Sequence, residues 1–238
     1  MGGFQMEFFD FFRWDIIWNY RELYAKGLWA TIVLTACGYL GGVIFGLFLG
    51  LGQVSNKKWI YWPVKLYVDV FRGTPLLVQL LLIHLAVIPT IFGQGLGWWV
   101  SGIMALVLNS AAYNAEIFRA GIQSIDKGQM EAARSLGLTS AQAMRKVILP
   151  QAFRRMIPPL GNEFIALLKD SSLLTVIAGA EILYVSKVVA GTYQRFWEPY
   201  LFAAFLYLVL TYAVTKLIAF IEKRVDINYN PRKKKERA

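Results

Sequence analysis

The 238-residue sequence predicts an all-α polytopic membrane protein with five transmembrane helices. Three observations point there. Hydrophobic residues make up 57% of the chain and charged ones 17%, against about 45–50% and about 25% in a soluble domain. Two long stretches, Leu28–Gly52 and Gly73–Ala115, contain no Asp, Glu, Lys or Arg. The Lys and Arg residues are also divided very unequally between alternate loops, as in proteins oriented by the positive-inside rule.

Each span has its own justification. Leu28–Gly52 exceeds the ~20 apolar residues that cross a bilayer as a helix, giving a first span over 27–53. Gly73–Ala115 is too long for one crossing. Pro89 and the GQGLG run (Gly93–Gly97) divide it into spans over 65–90 and 98–120. Gly73, Thr74 and Pro75 break or bend the earlier one, as an ordinary kink or as a break lining a cavity. A fourth span, 157–180, is apolar but carries Glu163, Lys169 and Asp170. Charge at membrane depth is costly and points to function; a re-entrant or interfacial segment is the alternative. Pro199–Thr215 is uncharged and stays apolar to Ile221, giving a fifth span over 198–221.

Five spans sort the loops into two sets. One set holds 17 Lys and Arg (55–65, 119–155 and the tail from Lys223) and the other holds 5. That places the N-terminus outside and the C-terminus in the cytoplasm. The expected organisation is an extracytoplasmic or interfacial segment over 1–26, a transmembrane domain over 27–222 and a basic tail over 223–238. The N-terminus lacks the pattern of a cleavable signal; its aromatic and charged alternation suits an interfacial helix. The tail PRKKKERA suits anionic cytoplasmic lipid rather than nucleic acid. A single Cys37 and a single His84 form neither a disulfide nor a metal site of the usual spacing; both read as packing residues.

The longest polar stretch, 121–155, is a cytoplasmic loop. Asp126 is an N-cap, with Gln129 in a capping-box-like position. QMEAARSL favours helix, Gly137 fits a left-handed C-terminal cap, and Thr139 with Gln142 forms a second box. Pro150 marks a break. By spacing alone, the first short helix serves equally as a docking element or as a plain amphipathic surface helix.

EAARSLGLTSAQAMRKVILP resembles the EAA loop of ABC importer permeases. Glu131, Ala132, Ala133, Gly137, Leu149 and Pro150 match, and Val147 stands where the pattern usually has Ile. FRGTPLLVQL (Phe71–Leu80), YNAEIFRAGIQSIDKGQ (Tyr113–Gln129) and GNEFIALLKDSSL (Gly161–Leu173) narrow the likeness to the permeases of polar amino-acid importers, the histidine/glutamine/arginine/cystine group. It runs from about 28 to 225. The resemblance implies a type I ABC importer permease fold in a bacterial cytoplasmic membrane. Glu131, Ala132, Ala133, Arg134 and Gly137 are then the coupling helix that docks on an ATP-binding subunit. It also implies an ATP-binding subunit dimer, an extracytoplasmic solute-binding protein and a second permease, identical or related.

The chain is not expected to be catalytic. Gly-Lys, which a phosphate-binding P-loop requires, occurs nowhere in it. No cofactor is expected in this chain; ATP and Mg belong to the partner. An amino-acid zwitterion leaving water needs partners for both charges. Entering from Pro158–Pro159, Lys169 and Asp170 fall ~15 Å in, near the bilayer midplane. Asn162, Glu163, Lys169, Asp170 and Ser171 are therefore expected to face the path, with Gln79 and Asn109 opposite. The alternative is that Lys169 and Asp170 pair with each other or with gate residues. Asp69, Arg72, Glu116 and Arg119 are expected as gate ion pairs nearer the cytoplasm. The runner-up is an ion-gradient-driven secondary transporter; a non-transporting scaffold stands third.

Overall fold

The computed structural model describes residues 12–225, and among these there is no strand. The helices are α1 (Trp14–Asn19), α2 (Arg21–Gln53), α3 (Lys58–Gly73), α4 (Leu76–Phe92), α5 (Gly97–Gln123), α6 (Lys127–Ser135), α7 (Ser140–Ile177), α8 (Ile182–Tyr193) and α9 (Trp197–Val225). The expected segments 1–11 and 226–238 lie outside the described residues.

α2 and α9 are each long and apolar enough to cross a membrane. Two further candidates are bent pairs. α3 and α4 meet at 106°, and α7 and α8 at 45°. The second expected span, 65–90, is thus not one rod. Pro75 has no N–H to continue a helix and restricts the residue before it. Thr74 is accordingly extended (φ −119°, ψ 145°) and α3 stops at Gly73.

Two other expectations need correction. Pro150 does not break the chain: α7 runs through it, because a wide π-helical turn over Met144–Ile148 leaves Pro150 in the first turn of the next α segment, where a missing N–H is tolerated. Pro158 and Pro159 lie inside this same helix. The stretch 181–198, expected as a loop, forms α8, whose Ile182, Val185 and Val189 are buried.

The centre of the molecule is a glycine seam. Gly38, Gly42, Gly46 and Gly50 of α2 recur every fourth residue, hence on one helix face. They lie against Leu106, Ser110, Asn114 and Phe118 of α5, also every fourth residue. A Cβ on these four glycines would come 2.6–2.7 Å from a Cβ of the facing residue. Membrane helices, lacking a hydrophobic drive to associate, gain from such close backbone approach. The seam makes α5 the central helix. Its Ser101, Asn109, Ser110 and Asn114 are buried by neighbouring helices rather than by lipid.

Around this pair, Leu34, Leu80, Ile83, Leu106, Leu167 and Leu174 form one core. A second core under the 121–155 loop joins Phe118, Ile122, Ile125, Ile148 and Met156. α1 buries Ile16 and Ile17 against α8 and α9, leaving Trp14 and Trp18 on its outer side. The Arg13 N–H donates to Glu198 at 2.9 Å, and the Arg195 guanidinium reaches the same carboxylate at 2.6 Å. At the surface, the Arg13 guanidinium holds the Asp15 carboxyl below its ordinary range.

Cys37 is exposed and so is not a core residue. His84 is half-buried, its Nδ1 2.8 Å from the Ser101 hydroxyl.

One buried acid went unread in the sequence. Glu181 caps α8, accepting from the N–H groups of Leu183 (2.8 Å) and Tyr184 (2.7 Å) and from the Tyr207 hydroxyl (2.6 Å). Asp, Asn, Ser and Thr lead at such caps, so a Glu gives little signal. Glu181→Leu strands three donors at a fully buried site, a penalty of about 3 kcal/mol. Thermal unfolding in detergent should show a clear fall in midpoint, with Glu181→Gln retaining much of the wild-type value.

Candidate functional site

Two regions hold the residues singled out from the sequence. The first is a polar column between α7 and α5. The seven-residue spacing sorts the α7 residues onto two strips: Asn162 and Lys169 are exposed, while Glu163 and Asp170 are half-buried. Glu163 lies beside Ser110 of α5, within electrostatic reach of Asp170 and Arg72. Ser110 in turn accepts from Asn114 at 2.9 Å, and the Asn114 carbonyl oxygen is buried without a partner. Beyond Asp170 the helix tightens to a 3₁₀ turn over Ser171–Ile177. There Ser171 is buried and donates to the Leu168 carbonyl at 2.7 Å.

Gln79 and Asn109 are brought together but are not free. Asn109 Nδ2 donates to Gln79 Oε1 at 2.9 Å, and Gln79 Nε2 donates to the Phe71 and Thr74 carbonyls at 2.8 and 3.0 Å.

Of the four expected gate residues, three meet. Arg119 forks onto Glu116 with both Nε and Nη2, and Arg72 Nη1 stands 3.7 Å from the same carboxylate. Arg72 also lies over the Tyr113 ring, 5.5 Å from its centre. Asp69 is not in this group. It accepts from Lys65 at 2.8 Å, one helical turn away on α3; an i,i+4 ion pair on one helix face is the nearer choice.

The second region is the corner between α6 and α7. Asp126 caps α6 by accepting from the Gly128 N–H at 2.7 Å. Gln129 does not complete a box; its Oε1 accepts from Gln151 of α7 at 3.3 Å. Gly137 has φ 85°, in the left-handed region that glycine enters without a Cβ penalty. The Gly137 N–H meets the Arg134 carbonyl at 3.0 Å and the Leu138 N–H meets the Ala133 carbonyl at 3.2 Å. That is a Schellman cap. Arg134 closes it by donating to the Leu138 carbonyl at 2.8 Å. Thr139 and Gln142 form a complete capping box. Arg155 of α7 donates to the Ser124 carbonyl at the end of α5, so α7 is tied to the end of α5.

Ala133 is buried, while Glu131, Ala132 and Arg134 of the same helix are exposed. It also presents Leu136, which the sequence reading passed over. At 84% exposure it is the most exposed large hydrophobic residue described. Its signal was the position immediately before the capping glycine, where the helix ends and the side chain has no turn to lie against.

The comparisons agree with this architecture. Residues 42–227 match the model of the family described as binding-protein-dependent transport system inner membrane component. The probable glutamine ABC transporter permease protein GlnM of Bacillus subtilis is 36% identical over 90% of this chain and 99% of its own length. The L-cystine transport system permease protein TcyB of the same organism is 37% identical over 90% and 91%. Among solved structures, an amino acid ABC transporter with histidines superposes with a TM-score of 0.84 at 43% identity, covering 90% of this chain and 99% of that one. The inward-facing MetNI methionine ABC transporter shares the fold, with a TM-score of 0.76 at 22% identity. The chain belongs to the binding-protein-dependent transport system inner membrane component family, among the amino-acid ABC transporter permeases.

Proposed function

We propose that this chain is the membrane-spanning subunit of an ATP-driven importer that moves a polar L-amino acid into the cytoplasm. The observation that carries the coupling part is the α6–α7 corner. A short helix is capped at both ends, linked to α7 through Gln129 and Gln151, and turns Glu131, Ala132, Arg134 and Leu136 outward. A rigid projecting element of this kind suits docking in a groove of an ATP-binding subunit, because little order is lost on association. ATP and Mg are held by that partner, and this chain carries no catalytic residue. An extracytoplasmic solute-binding protein delivers the substrate, and a second permease copy or relative completes the pore.

In this reading α2, the α3–α4 pair, α5, the α7–α8 pair and α9 are the five membrane-crossing units. The N-terminus is outside and the C-terminus in the cytoplasm of a bacterial cell. Glu163 and Asp170 supply acceptors for the substrate ammonium, and Asn162 and Lys169 supply donors on the adjoining strip. Ser171 shapes the tight turn at the end of this strip. Arg72, Glu116 and Arg119 close the cytoplasmic end.

The test is uptake into proteoliposomes holding this chain, its ATP-binding subunit and its binding protein, with ATP inside and labelled amino acids outside. Uptake should require ATP and favour one amino-acid class. Glu131→Ala should remove it, and Glu163→Ala should reduce it at least tenfold or change the substrate preference. Uptake that follows an ion gradient and ignores ATP would overturn the proposal; normal uptake and selectivity in Glu163→Ala would take Glu163 out of the path.

A further inference from the structure

FRGTPLLVQL contains a glutamine whose polar atoms are already committed. α3 ends at Gly73, and a helix end leaves its last carbonyls without intrahelical partners. Thr74 and Pro75 are both extended, and proline offers no N–H to fill the gap. Gln79, one turn into α4, turns its amide back across the break. Nε2 lies 2.8 Å from the Phe71 carbonyl, 3.0 Å from the Thr74 carbonyl and 2.9 Å from the Thr74 hydroxyl. That hydroxyl donates to the Val70 carbonyl at 2.8 Å. The other end of the amide, Oε1, accepts from Asn109 at the middle of α5. Gln79 is 6% exposed and Asn109 5%. One side chain thus spans both limbs of the corner and ties it to the central helix.

The same corner carries Arg72 as its last charged residue before the break. Asn109, Tyr113 and Glu116 follow one another along α5 at helical spacing, so they share a face. The corner is bonded at Asn109, and Arg72 meets Tyr113 and Glu116 about one and two turns further along. We infer that Gln79 and Asn109 are a positioning pair that fixes the 106° corner between α3 and α4 and thereby seats Arg72 on Glu116. The pair does not contact substrate; both side chains are buried, and they are bonded to each other. This deepens the gate assignment made above for Arg72 and Glu116, but the corner angle can be measured without any transport.

The experiment uses the full chain in nanodiscs with Cys37→Ser. Spin labels are placed at Lys58→Cys, the exposed start of α3, and at Gly95→Cys, beyond α4, where a Cβ meets nothing within 4 Å. Pulsed electron-spin distance measurement then reads the angle. One narrow distance distribution is expected. Asn109→Leu, and separately Gln79→Leu, should broaden it roughly twofold. The double variant should be no broader than either single one, because groups in one network fail as a unit. Asn109→Ser serves as a milder breaker where a leucine variant fails to insert. Arg72→Gln should leave the distribution narrow, since the ion pair follows the corner rather than setting it. An unchanged width in the Gln79 and Asn109 variants, or additive broadening in the double one, would overturn the inference. So would loss of uptake with the corner still narrow, which would return both residues to the path.

Discussion

Leu136→Asp should reduce ATP-driven uptake by more than tenfold and release the ATP-binding subunit during purification, while the permease keeps its melting temperature. The two halves of this expectation have separate causes. Leu136 is 84% exposed, so the folded permease has almost no packing to lose there. An exposed aliphatic residue held in place by a Schellman cap is nevertheless suited to fill a pocket on a partner, and truncating such an anchor commonly costs 2 kcal/mol or more of binding, roughly 30-fold. A buried carboxylate in place of the leucine costs further desolvation. Leu136→Ala should fall between wild type and Leu136→Asp. Co-purification on a tagged permease, with uptake and thermal unfolding on the same preparations, checks all three. Full retention of the ATP-binding subunit in Leu136→Asp would exclude Leu136 as an anchor.

Gly46→Leu should prevent the fold from forming. A Cβ at Gly46 would stand 2.6 Å from the Asn114 Cβ, 2.9 Å from the Ala111 carbonyl oxygen and 3.1 Å from the Ala115 nitrogen. Two of these three atoms are backbone, so no side-chain rotation relieves the contact. α2 must move off α5, and the neighbouring contacts of Gly42 and Gly50 open with it. Overpacking alone costs about 1–3 kcal/mol, and a parted central pair exposes further surface, so the total should exceed about 3 kcal/mol. Fluorescence-detected size exclusion should show little monodisperse protein. Gly46→Ala should be intermediate. Gly191→Ala is the control: nothing lies within 4 Å of a Cβ there, and alanine is the better helix former. A monodisperse, stable Gly46→Leu protein would show that the seam is not tight.

Much of this molecule was legible in advance, for reasons that can be located. The long uncharged runs announce helices because lipid allows little else to cross it. Gly137 and the Thr139–Gln142 pair were readable because caps depend on a few residues at fixed offsets, and both formed as expected. The Asp126–Gln129 box did not form, because Gln129 found Gln151, 22 residues away; local spacing is blind to such a competitor. Asp69, expected among the gate ion pairs, is paired with Lys65 instead. Asn162 and Lys169 share an exposed strip and Glu163 and Asp170 a half-buried one, since residues seven apart fall on one helix face.

By itself the sequence determined the helical class, the approximate limits of the long helices over 27–53, 98–120 and 198–221, the capped corner after Glu131 and the family likeness. Each depends on composition or on residues within a turn or two of one another. The tertiary structure decided the rest: the 106° corner, the helix through Pro150, the burial of α8, the glycine seam and the pairing of Gln79 with Asn109. Apart from the helix through Pro150, those features rest on which surfaces meet across stretches of chain from 30 to 151 residues long. A four-residue glycine spacing shows that a helix can be approached closely, but only the packed fold shows that α5 is what approaches it, with Asn109 placed where Gln79 can reach.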